Sequence, residues 1–350
     1  MDNEKRYDLI VRSPTEEVVT NDELKTLLQT TTSPKHYIGL EISGILHVGS
    51  LILTGFKIND LIKANVKPIV FLADWHTYIN NKLGGDWNQI NQFSNYYKEA
   101  FNFFCPGVKV ILGNNLYNED SEYWKNFMKF CKHMTLARTV RSLTIMGRNE
   151  KENLDFSQFL YPAMQAADIH ALDLDIAHAG MDQRKIHMLV REIFPKLGWK
   201  VPVCIHHHLL PGLAEPTPSG ITENKNDDIL ISSKMSKSKP ESSLLIHDDE
   251  SILKKKITRS FCPEGIIKNN PILELVRYVV FHCNDEFTIS RPSKFGGNIT
   301  YYNYNDLEAD YSNKKIHPLD LKQSTSYYIN KIIEPIRNHF KGKEPPMDQI

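Results

Sequence analysis

The sequence predicts a doubly wound α/β fold with a parallel sheet, followed by a smaller, mainly helical domain. Short apolar runs bounded by turn residues are typical of buried parallel strands, and several of them precede residue 210. Helical patterns separate these runs, and such alternation is typical of a sheet with helices on both faces. We predict strands at residues 37–41, 68–73, 108–112, 175–178 and 203–206, and helices at residues 47–64, 87–104, 122–146, 157–172 and 183–197.

The pattern becomes mainly helical after residue 250. We predict helices at residues 251–260, 271–281 and 319–340, around a polar and aromatic segment at residues 288–304. The chain is therefore predicted to contain an N-terminal domain of residues 1–250, a helical domain of residues 251–340 and a tail of residues 341–350. Residues 213–233 are rich in Pro, Gly, Asn and Ser, which predicts a surface loop within residues 213–240.

Two segments together predict an ATP site. Lys234-Met235-Ser236-Lys237-Ser238 brings ammonium groups and hydroxyl donors into one short loop, although a solvated loop would explain that stretch alone. His47-Val48-Gly49-Ser50 lies at the predicted start of a helix, where free N–H groups and the helix dipole favour anionic oxygens. His47 can donate a hydrogen bond to a phosphate, and Gly49 lets an adenine or ribose approach the backbone.

The predicted helix at residues 157–172 carries Tyr161, Gln165 and Asp168 at positions i, i+4 and i+7. These spacings place a phenol, an amide and a carboxylate on one face. A polar outer face would explain the pattern without a ligand. A mostly apolar helix has little other reason to turn three such groups inward, so we predict that they bind a ligand.

Composition narrows the alternatives. The chain has 350 residues with 41% hydrophobic content, enough for a full core in about two domains. Its 42 basic residues balance 42 acidic ones, so net charge gives no argument for nucleic-acid binding. No apolar run approaches the ~18 residues of a membrane span and the N-terminus lacks a signal-peptide pattern, so we expect a cytoplasmic protein without a membrane partner. Five scattered cysteines without a C-x-x-C pair predict reduced thiols and no metal site.

Two basic clusters leave RNA binding open. A solvated helix face explains each cluster more simply than an RNA contact does. The clusters are Arg138, Arg141 and Arg148, and Lys254, Lys255, Lys256 and Arg259.

Histidines and a carboxylate near strand ends also allow more than one interpretation. His206, His207 and His208 could suggest a metal, but adjacent strand residues point to alternate faces, so we predict no metal ligation there. Asp74 and His76 follow a predicted strand. They could line a pocket at its carboxyl end or cap the next helix.

The two phosphate-binding segments resemble the K-M-S-K-S and H-x-G-H motifs of class I aminoacyl-tRNA synthetases. The first match is complete, whereas Ser50 stands where the second motif has its final histidine. Further segments resemble tyrosyl-tRNA synthetases of the archaeal and eukaryotic type along nearly the whole chain. They read Y-I-G-L-E-x-S-G, F-L-A-D-W-H-T-Y-I-N, Y-P-A-M-Q-A-A-D-I-H, G-M-D-Q-R-K-I-H, F-C-P-E-G, K-F-G-G-N and H-P-L-D-L-K.

The resemblance implies a Rossmann-like catalytic domain that makes tyrosyl-adenylate from L-tyrosine and ATP, and then charges tRNA(Tyr). Tyr37 and Asp168 would read the phenol hydroxyl, which favours tyrosine over the tryptophan of related enzymes. The implied tyrosine-binding residues are Tyr37, Gly39, Glu41, Tyr161, Gln165, Asp168 and Gln183. The implied ATP-binding residues are Gly49, Ser50, Gly180, Asp182, Met235, Ser236 and Ser238, and the implied catalytic residues are His47, Lys234 and Lys237.

The same resemblance implies partners for other parts of the chain. Mg²⁺ would arrive with the ATP phosphates, without an organic cofactor or a structural metal. The predicted helix at 122–146, in an insertion at about residues 115–150, would form a homodimer interface. Residues 251–340 would bind the anticodon. The implied tRNA-binding residues are Arg141, Phe295, His317, Pro318 and Asp320.

Two other functions stay open at the level of sequence. A nucleotidyltransferase that acts on a small metabolite would also use an H-x-G turn, although the complete K-M-S-K-S segment and the additional helical domain argue against it. A relative that binds RNA without catalysis is conceivable because of Ser50.

Overall fold

The computed structural model describes residues 1–148, 153–218, 228–229, 232–236 and 239–345. The chain forms two compact units. The first unit consists of Met1–Gly44 and Gly55–His208, and the second consists of Ile45–Thr54 and Leu209–Ile350. The segment around His47 therefore belongs with the C-terminal part of the chain. The functional division at residue 250 stays a prediction.

A six-stranded sheet organises the first unit, in the order β1-β6-β5-β2-β3-β4. Strands β2 to β6 run parallel to one another, and β1 is antiparallel to β6 at one edge. The predicted doubly wound sheet is confirmed. The strands are β1 (Thr15–Val19), β2 (Lys35–Leu40), β3 (Lys67–Leu72), β4 (Lys109–Leu112), β5 (Ile176–Gly180) and β6 (Val203–His207).

Helices connect these strands. The helices of the first unit are α1 (Asn3–Val11), α2 (Asn21–Thr30), α3 (Thr54–Lys63, which begins in the second unit), α4 (Asp74–Ile79), α5 (Trp87–Phe104), α6 (Gly113–Glu119), α7 (Tyr123–Cys131), α8 (Leu136–Ser142), α9 (Tyr161–Ala171) and α10 (Arg184–Ile193). Short 3₁₀ turns lie at Lys82–Gly85, Leu143–Met146, Phe156–Phe159, Met181–Gln183 and Phe194–Leu197.

The order of the strands locates the expected binding edge. From β2 the chain proceeds to β3 on one side, whereas β5 lies on the other side of β2 and leads to β6. Ligands of doubly wound sheets bind outside the carboxyl ends of the strands at such a reversal. Gly39 at the end of β2 and Gly180 at the end of β5 flank this point.

The N-terminal elements α1, β1 and α2 were not predicted from the sequence. Two buried cations hold this segment in place. Arg6 donates to the carbonyls of Ala64, Leu28 and Thr32 at 2.9, 3.1 and 2.9 Å. Lys57 of α3 donates to the carbonyls of Leu9, Ile10 and Arg12. Charged residues normally lie on the surface, so the sequence pattern did not indicate that Arg6 and Lys57 are buried.

The prediction of one helix at residues 122–146 was wrong. Helix α7 ends at Cys131 and α8 begins at Leu136. The Thr135 side chain accepts a hydrogen bond from the N–H of Arg138 at 3.3 Å and so caps a new helix. The cap satisfies a free N–H group at the start of α8. The apolar periodicity alone did not indicate that a second helix begins there.

The second unit is mainly helical, as predicted. The helices at 251–260 and 319–340 are found within about one residue, whereas the helix at 271–281 contains a π-helical turn at Val276–Val280. The segment at 288–304 includes an antiparallel pair of strands. The elements are α11 (Glu250–Arg259), α12 (Pro271–Leu275), α13 (Phe281–Cys283), β7 (Phe287–Ile289), β8 (Ile299–Tyr301), α14 (Tyr304–Ser312) and α15 (Pro318–His339), with 3₁₀ turns at Pro240–Ser242 and Ser293–Phe295.

Among the described residues, no helix combines the length and the apolar character that crossing a bilayer requires. The predicted loop at 213–240 and the predicted tail at 341–350 lie partly outside the described residues.

A row of buried histidines crosses the sheet on one face. Nε2 of His36 lies 3.0 Å from Nδ1 of His178, and Nε2 of His178 lies 2.8 Å from Nδ1 of His207. His206 points elsewhere, with Nε2 3.0 Å from Nδ1 of His187. Adjacent histidines of β6 thus reach different partners. Within the described ranges, no group of three or more His, Cys, Asp or Glu side chains is arranged to hold a metal.

Burial keeps these imidazoles neutral. It lowers the pKa of His36 to about 3, with a contribution from the Lys57 charge, and it lowers the pKa of His207 to about 4. The pKa of His178 lies well below its ordinary value for the same reason. A neutral imidazole donates one hydrogen bond and accepts one, so three of them can form a continuous row.

We predict that the free energy of unfolding falls as the pH decreases from about 7.5 to about 5. Unfolded histidines bind protons below a pKa of about 6.5, whereas these folded ones stay neutral to far lower pH. Each such histidine should therefore lose about 2 kcal/mol of its contribution by about pH 5. Urea unfolding across this range measures the slope. His36→Gln should reduce it, and the exposed His133→Gln should not; equal slopes in all three proteins would contradict the explanation.

Candidate active site

Helix α9 turns its polar residues toward the protein interior. Tyr161, Gln165 and Asp168 are all buried, Asp168 with only 1% of its surface exposed. Pro162 in the first turn is compatible with a helix start, where its missing N–H costs no hydrogen bond. The alternative of a polar outer face is therefore excluded, and the predicted face lies in the core.

The two carboxyl oxygens of Asp168 have different surroundings. Oδ1 accepts a hydrogen bond from the Tyr123 hydroxyl at 2.7 Å. Oδ2 is buried without a hydrogen-bond partner, and Nε2 of His76 lies 3.7 Å from it. An unsatisfied buried acceptor costs about 1–3 kcal/mol, so such an atom indicates a place that a ligand completes.

Burial raises the pKa of Asp168 to about 8, and the Tyr123 hydroxyl opposes the increase. The nearby Asp74 charge adds to the rise. Burial also raises the pKa of Tyr37 well above its ordinary value, with a contribution from the Asp168 charge. Tyr37 is therefore a neutral phenol that can donate a hydrogen bond beside a carboxyl group that can accept one.

Gly39 is needed for the position of Tyr37. A Cβ atom at residue 39 would lie 2.2 Å from the Tyr37 hydroxyl oxygen, which is closer than real Cβ contacts come. The ring of Tyr37 also contacts that of Phe71, with centroids 5.7 Å apart. The phenol is thus folded back over the end of β2, and any side chain at residue 39 would displace it.

Two amide side chains, one on α9 and one on the turn after β5, begin a second polar cluster. Gln183 donates from Nε2 to the carbonyl of Ile145 at 2.8 Å, and its Oε1 accepts from Nε2 of Gln165 at 3.4 Å. This leaves Oε1 of Gln165 buried without a partner. A carbonyl oxygen held in this way is a ready acceptor for an ammonium group.

Glu41 and Tyr161 complete this part of the site. Asn80 donates to Oε1 of Glu41 at 2.8 Å and to the carbonyl of Met146 at 3.2 Å. Burial, and then the charge of Glu41, raises the pKa of Tyr161 well above its ordinary value. The cluster therefore combines a carboxylate with a neutral phenol, a pair that suits a substrate amine.

Asp74 and His76 were predicted either to line a pocket or to cap the next helix, and the structure gives a different answer for each. Asp74 accepts hydrogen bonds from the N–H groups of Trp75 and Asn114 at 2.8 and 3.0 Å, so it caps helix starts. Burial raises its pKa to about 6. His76 lies against the Tyr161 ring, with centroids 4.5 Å apart, and near Asp168. Burial lowers its pKa to about 3, so it faces the site as a neutral ring.

The turn after β5 carries Gly180 and Asp182. Residues Met181–Gln183 form a 3₁₀ turn that leads into α10, and Asp182 is partly exposed there. A partly exposed carboxylate at the carboxyl end of a central strand can accept hydrogen bonds from ribose hydroxyls. Gly180 ends β5 opposite His207 of β6.

In the second unit, Ser50 bonds to His47. The Ser50 hydroxyl accepts from the N–H of His47 at 2.9 Å, and Nδ1 of His47 accepts from the N–H of Ser50 at 3.3 Å. These reciprocal bonds form a capping box at the start of the π-helical turn Val48–Leu53. Because Nδ1 accepts a hydrogen bond, Nε2 is the ring nitrogen of His47 that is suited to donate to a phosphate. The Cβ position of Gly49 lies 3.2 Å from the same ring.

The lysine-serine motif and the histidine segment are joined by one stretch of chain, residues 243–246. The N–H of Val48 donates to the carbonyl of Leu244 at 2.9 Å, and the N–H of Ile246 donates to the carbonyl of Leu46 at 3.1 Å. The Ser243 hydroxyl donates to the carbonyl of Ser236 at 2.5 Å.

The start of the motif has a second attachment. Lys234 pairs with Pro211 in a β-bridge, and the N–H of Met235 donates to the carbonyl of Leu210 at 2.7 Å. Met235 is buried, whereas Lys234 and Ser236 are partly exposed. The second unit therefore holds both predicted phosphate-binding segments on a common support. Lys237 and Ser238 lie outside the described residues.

Lys256 holds the stretch at residues 243–246 in place. The expectation that this lysine lies on a solvated helix face was wrong. Its ammonium donates to Oδ2 of Asp248 at 2.7 Å and to the carbonyl of Ser243 at 2.9 Å, and the residue is 9% exposed. The same Asp248 oxygen accepts from the N–H of Leu245. Among the other basic residues, Arg138 pairs with Glu192, as a solvated helix face would allow.

The residues expected to contact tRNA lie in both units. Phe295 is 60% exposed, and His317 is exposed while its Nδ1 caps α15 by accepting from the N–H of Leu319 at 3.1 Å. Arg291 donates to the carbonyls of Gly297 and Lys315, and so ties the Phe295 loop to the chain before α15. Pro318 and Asp320 begin that helix, with partly exposed side chains. Arg141 is exposed on α8 in the first unit.

Sequence reasoning missed two residues of the buried site. Tyr123 reaches Asp168 from α7, and Asn80 reaches Glu41 from the end of α4. Tyr123 belongs to an apolar, aromatic stretch whose periodicity is that of any core helix, so no local signal distinguished it. Asn80 lies several residues after the carboxyl end of β3, and this position is the sequence signal that could have identified it as a site residue.

Comparisons with known proteins show to which family the chain belongs. A family model described as tRNA synthetases class I (W and Y) matches residues 29–334. The tyrosine–tRNA ligase of Thermococcus sibiricus is 43% identical over 367 aligned positions, covering 99% of this chain and 98% of that protein. The tyrosine–tRNA ligase of Saccharolobus solfataricus is 42% identical over 355 positions, covering 100% of this chain and 96% of that protein.

A solved structure is similar over the same extent. The crystal structure of tyrosyl-tRNA synthetase from Pyrococcus horikoshii, complexed with L-tyrosine, matches with a TM-score of 0.92 and 41% identity. The match covers 100% of this chain and 99% of that chain. Because both the family model and these relatives extend along nearly the whole sequence, the chain belongs to the class I tRNA synthetases of the tryptophan and tyrosine family.

Proposed function

We propose that this chain is a tyrosine–tRNA ligase. It joins the carboxylate of L-tyrosine to the α-phosphorus of ATP, which releases pyrophosphate and leaves tyrosyl-adenylate. A terminal ribose hydroxyl of tRNA(Tyr) then attacks the tyrosyl carbonyl, and AMP departs. The nucleophiles come from the substrates, so the protein needs to position them and to stabilise phosphate charge.

The unpartnered oxygen of Asp168 is the observation that carries tyrosine as the substrate. A phenol hydroxyl can donate to the unpartnered Oδ2 of Asp168 and can also accept from the Tyr37 hydroxyl. Phenylalanine would leave Oδ2 of Asp168 unsatisfied and would offer the Tyr37 hydroxyl no acceptor. The indole of tryptophan has an N–H donor but no acceptor for the Tyr37 hydroxyl, so tyrosine fits the pair better.

The second polar cluster suits the amino group of the substrate. Oε1 of Gln165 accepts one of its hydrogen bonds, and the neighbouring oxygens of Tyr161 and Gln183 can accept others. Glu41 supplies a negative charge near the ammonium. Gly39 serves indirectly, because it leaves room for the Tyr37 ring.

We infer that the histidine and lysine-serine segments of the second unit bind the phosphates of ATP. Nε2 of His47 and the ammonium of Lys234 stabilise the charge that builds on the departing phosphates, and Lys237 adds a second ammonium. Ser236 and Ser238 are proposed as hydroxyl donors to the same phosphates and Met235 as a further ATP-binding residue, and Gly49 lets the nucleotide approach the backbone. Gly180 and Asp182 receive the ribose.

Ser50 acts in this scheme by orienting His47. Its capping bonds set the ring and the tautomer, so a charged residue is not required at this position. Mg²⁺ is expected to enter with the ATP phosphates as part of the substrate, which needs no dedicated cage of carboxylates.

For tRNA, we infer that residues 251–340 read the anticodon. Phe295 offers an exposed ring on which an unpaired base can stack, while His317, Pro318 and Asp320 present polar and apolar edges at the start of α15. Arg141 supplies an exposed cation for the acceptor stem.

We also infer a cytoplasmic homodimer. Helix α7 exposes Trp124 and Met128 on one side, and Leu136 at the start of α8 is 72% exposed. Such an apolar surface suits a contact between two copies, and it lies within the predicted insertion. Sedimentation that gave the 40.4 kDa mass of one chain would contradict the dimer, and cell fractionation tests the compartment.

The proposed function predicts ATP–pyrophosphate exchange that depends on tyrosine. Tryptophan and phenylalanine should support little exchange, because each leaves Tyr37 or Asp168 without a partner. Measurement of exchange with each amino acid separately decides the substrate. Exchange with tryptophan alone, or with none of the three, would refute the proposal and favour a different ligase or a relative without catalysis.

Lys234→Ala should lower the rate of adenylate formation about a hundredfold, because it removes one stabilising charge from the phosphates. The dissociation constant for tyrosine should change little, since Lys234 is not among the pocket residues. Pre-steady-state exchange and equilibrium tyrosine binding separate the two effects. Lys239→Ala, an exposed lysine just beyond the motif, is the matched control. An activation rate like that of the wild type in Lys234→Ala would refute the role.

Phe295→Ala should raise the KM for tRNA(Tyr) about tenfold or more, because base stacking contributes about 1–3 kcal/mol per base. The exchange reaction needs no tRNA and should keep its rate. Tyr302→Ala removes another exposed aromatic side chain of the same unit and serves as the control. The assignment fails if both variants charge tRNA equally well.

A further inference from the structure

The carboxyl group of Asp168 is satisfied on one side only. Tyr123 donates to Oδ1 at 2.7 Å, while Oδ2 has no hydrogen-bond partner although the residue is buried. A carboxyl group whose only function was to support the core would be expected to have both oxygens bonded. The asymmetry indicates that Tyr123 completes one half of the group and that a ligand completes the other.

The hydroxyl of Tyr123 is held firmly in its position. Its ring is fully buried and lies against Tyr117 and Trp124, with centroids 4.3 and 5.1 Å away. The same hydroxyl lies 3.4 Å from the carbonyl of Met164, but the shorter distance to Asp168 makes the carboxyl its main acceptor. Helix α7 thus provides a fixed donor beside α9.

We infer that Tyr123 is a positioning residue for the selection of tyrosine, holding Oδ1 of Asp168 so that Oδ2 faces the phenol hydroxyl of the substrate. The inference rests on the proposed function. Without this donor, only the Tyr117 hydroxyl would remain to restrain the carboxyl group, which could rotate about its terminal torsion and would present a less defined acceptor to the phenol.

The charge of the carboxyl group depends on the same bond. The ionisable groups around it are Tyr37 from β2, Asp74 and His76 from α4, Tyr117 from α6 and Tyr123 from α7. Burial raises the pKa of Asp168, and the hydroxyl of Tyr123, followed by that of Tyr117, lowers it by interacting with the ionised form. Loss of the Tyr123 hydroxyl should move the pKa upward. A larger fraction of the carboxyl groups would then carry a proton near neutral pH, and fewer would accept the phenol O–H with full charge.

Tyr123→Phe tests this inference in the exchange assay. We expect kcat/KM for tyrosine to fall about tenfold, mainly through KM, which is the effect of losing about one hydrogen bond to a charged group. The value for phenylalanine should change less than about twofold, since that substrate does not use Oδ2. The rise of kcat/KM for tyrosine with pH should also shift to higher pH, because tyrosine needs the ionised carboxylate.

Two controls separate positioning from general damage. Tyr97→Phe removes another buried tyrosine hydroxyl of the first unit, and it should keep the wild-type preference for tyrosine. If Tyr123→Phe does not unfold cooperatively, Tyr123→Met replaces it, since methionine fills irregular core space without a hydroxyl donor. In an Asp168→Asn background, Tyr123→Phe should change tyrosine selectivity little further, because both act through one carboxyl group.

The outcomes distinguish this inference from the proposed function. Wild-type protein that showed no tyrosine-dependent exchange would remove the function itself. With that exchange present, an unchanged kcat/KM for tyrosine in Tyr123→Phe would overturn the inference alone. Equal losses for tyrosine and phenylalanine, or additive effects with Asp168→Asn, would overturn it as well, because they show a structural role for Tyr123.

Discussion

A buried carboxyl group that is bonded on one side only is the constraint on which the site depends. Transfer of a carboxylate into the core is costly unless hydrogen bonds compensate, and the pKa of Asp168 is raised to about 8 accordingly. The fold supports this group with Tyr123 on α7, and it places the neutral phenol of Tyr37 nearby. Apolar packing of α9 keeps the group away from water, and in the proposed function this gives a single hydroxyl on the substrate its energetic weight. The proposed selection of tyrosine thus depends on an unsatisfied buried acceptor.

The two segments proposed to bind phosphate show how a departure from a family pattern can be accommodated. Ser50 bonds to the backbone and the ring of His47, so a residue that lacks the expected charge still fixes its neighbour. Residues 243–246 then connect this segment to the lysine-serine motif, and the buried pair of Lys256 and Asp248 holds that connection. A buried ion pair is weak evidence for stability, but here it also bonds to backbone groups and so fixes the course of the chain. Hydrogen bonds to the backbone, more than added charge, hold the two motifs of the second unit in position.

Buried polar groups recur in the first unit, and several of them away from the candidate site are hydrogen-bonded within the protein. Arg6 and Lys57 donate to backbone carbonyls. His36, His178 and His207 form a row of hydrogen bonds between neutral rings. These groups fix the N-terminal segment and the central strands that carry the site. Their common property is that the unfolded chain, exposed to water, would satisfy them equally well, so they contribute specificity of structure more than net stability.

The sequence by itself determined the architecture and the identity of the main groups. Apolar strands separated by helical patterns predict the doubly wound sheet, and the i, i+4, i+7 spacing of Tyr161, Gln165 and Asp168 predicts one shared face, because both signals are local and periodic. Only the tertiary structure decided which groups meet. Tyr123 reaches Asp168 across 45 positions of the chain, and Lys256 turns inward from a run of three lysines. The break between α7 and α8 and the buried role of Arg6 were likewise not readable from the pattern. Contacts between distant residues depend on how elements pack, and a periodic pattern records which side of an element is buried but not which partner it finds there.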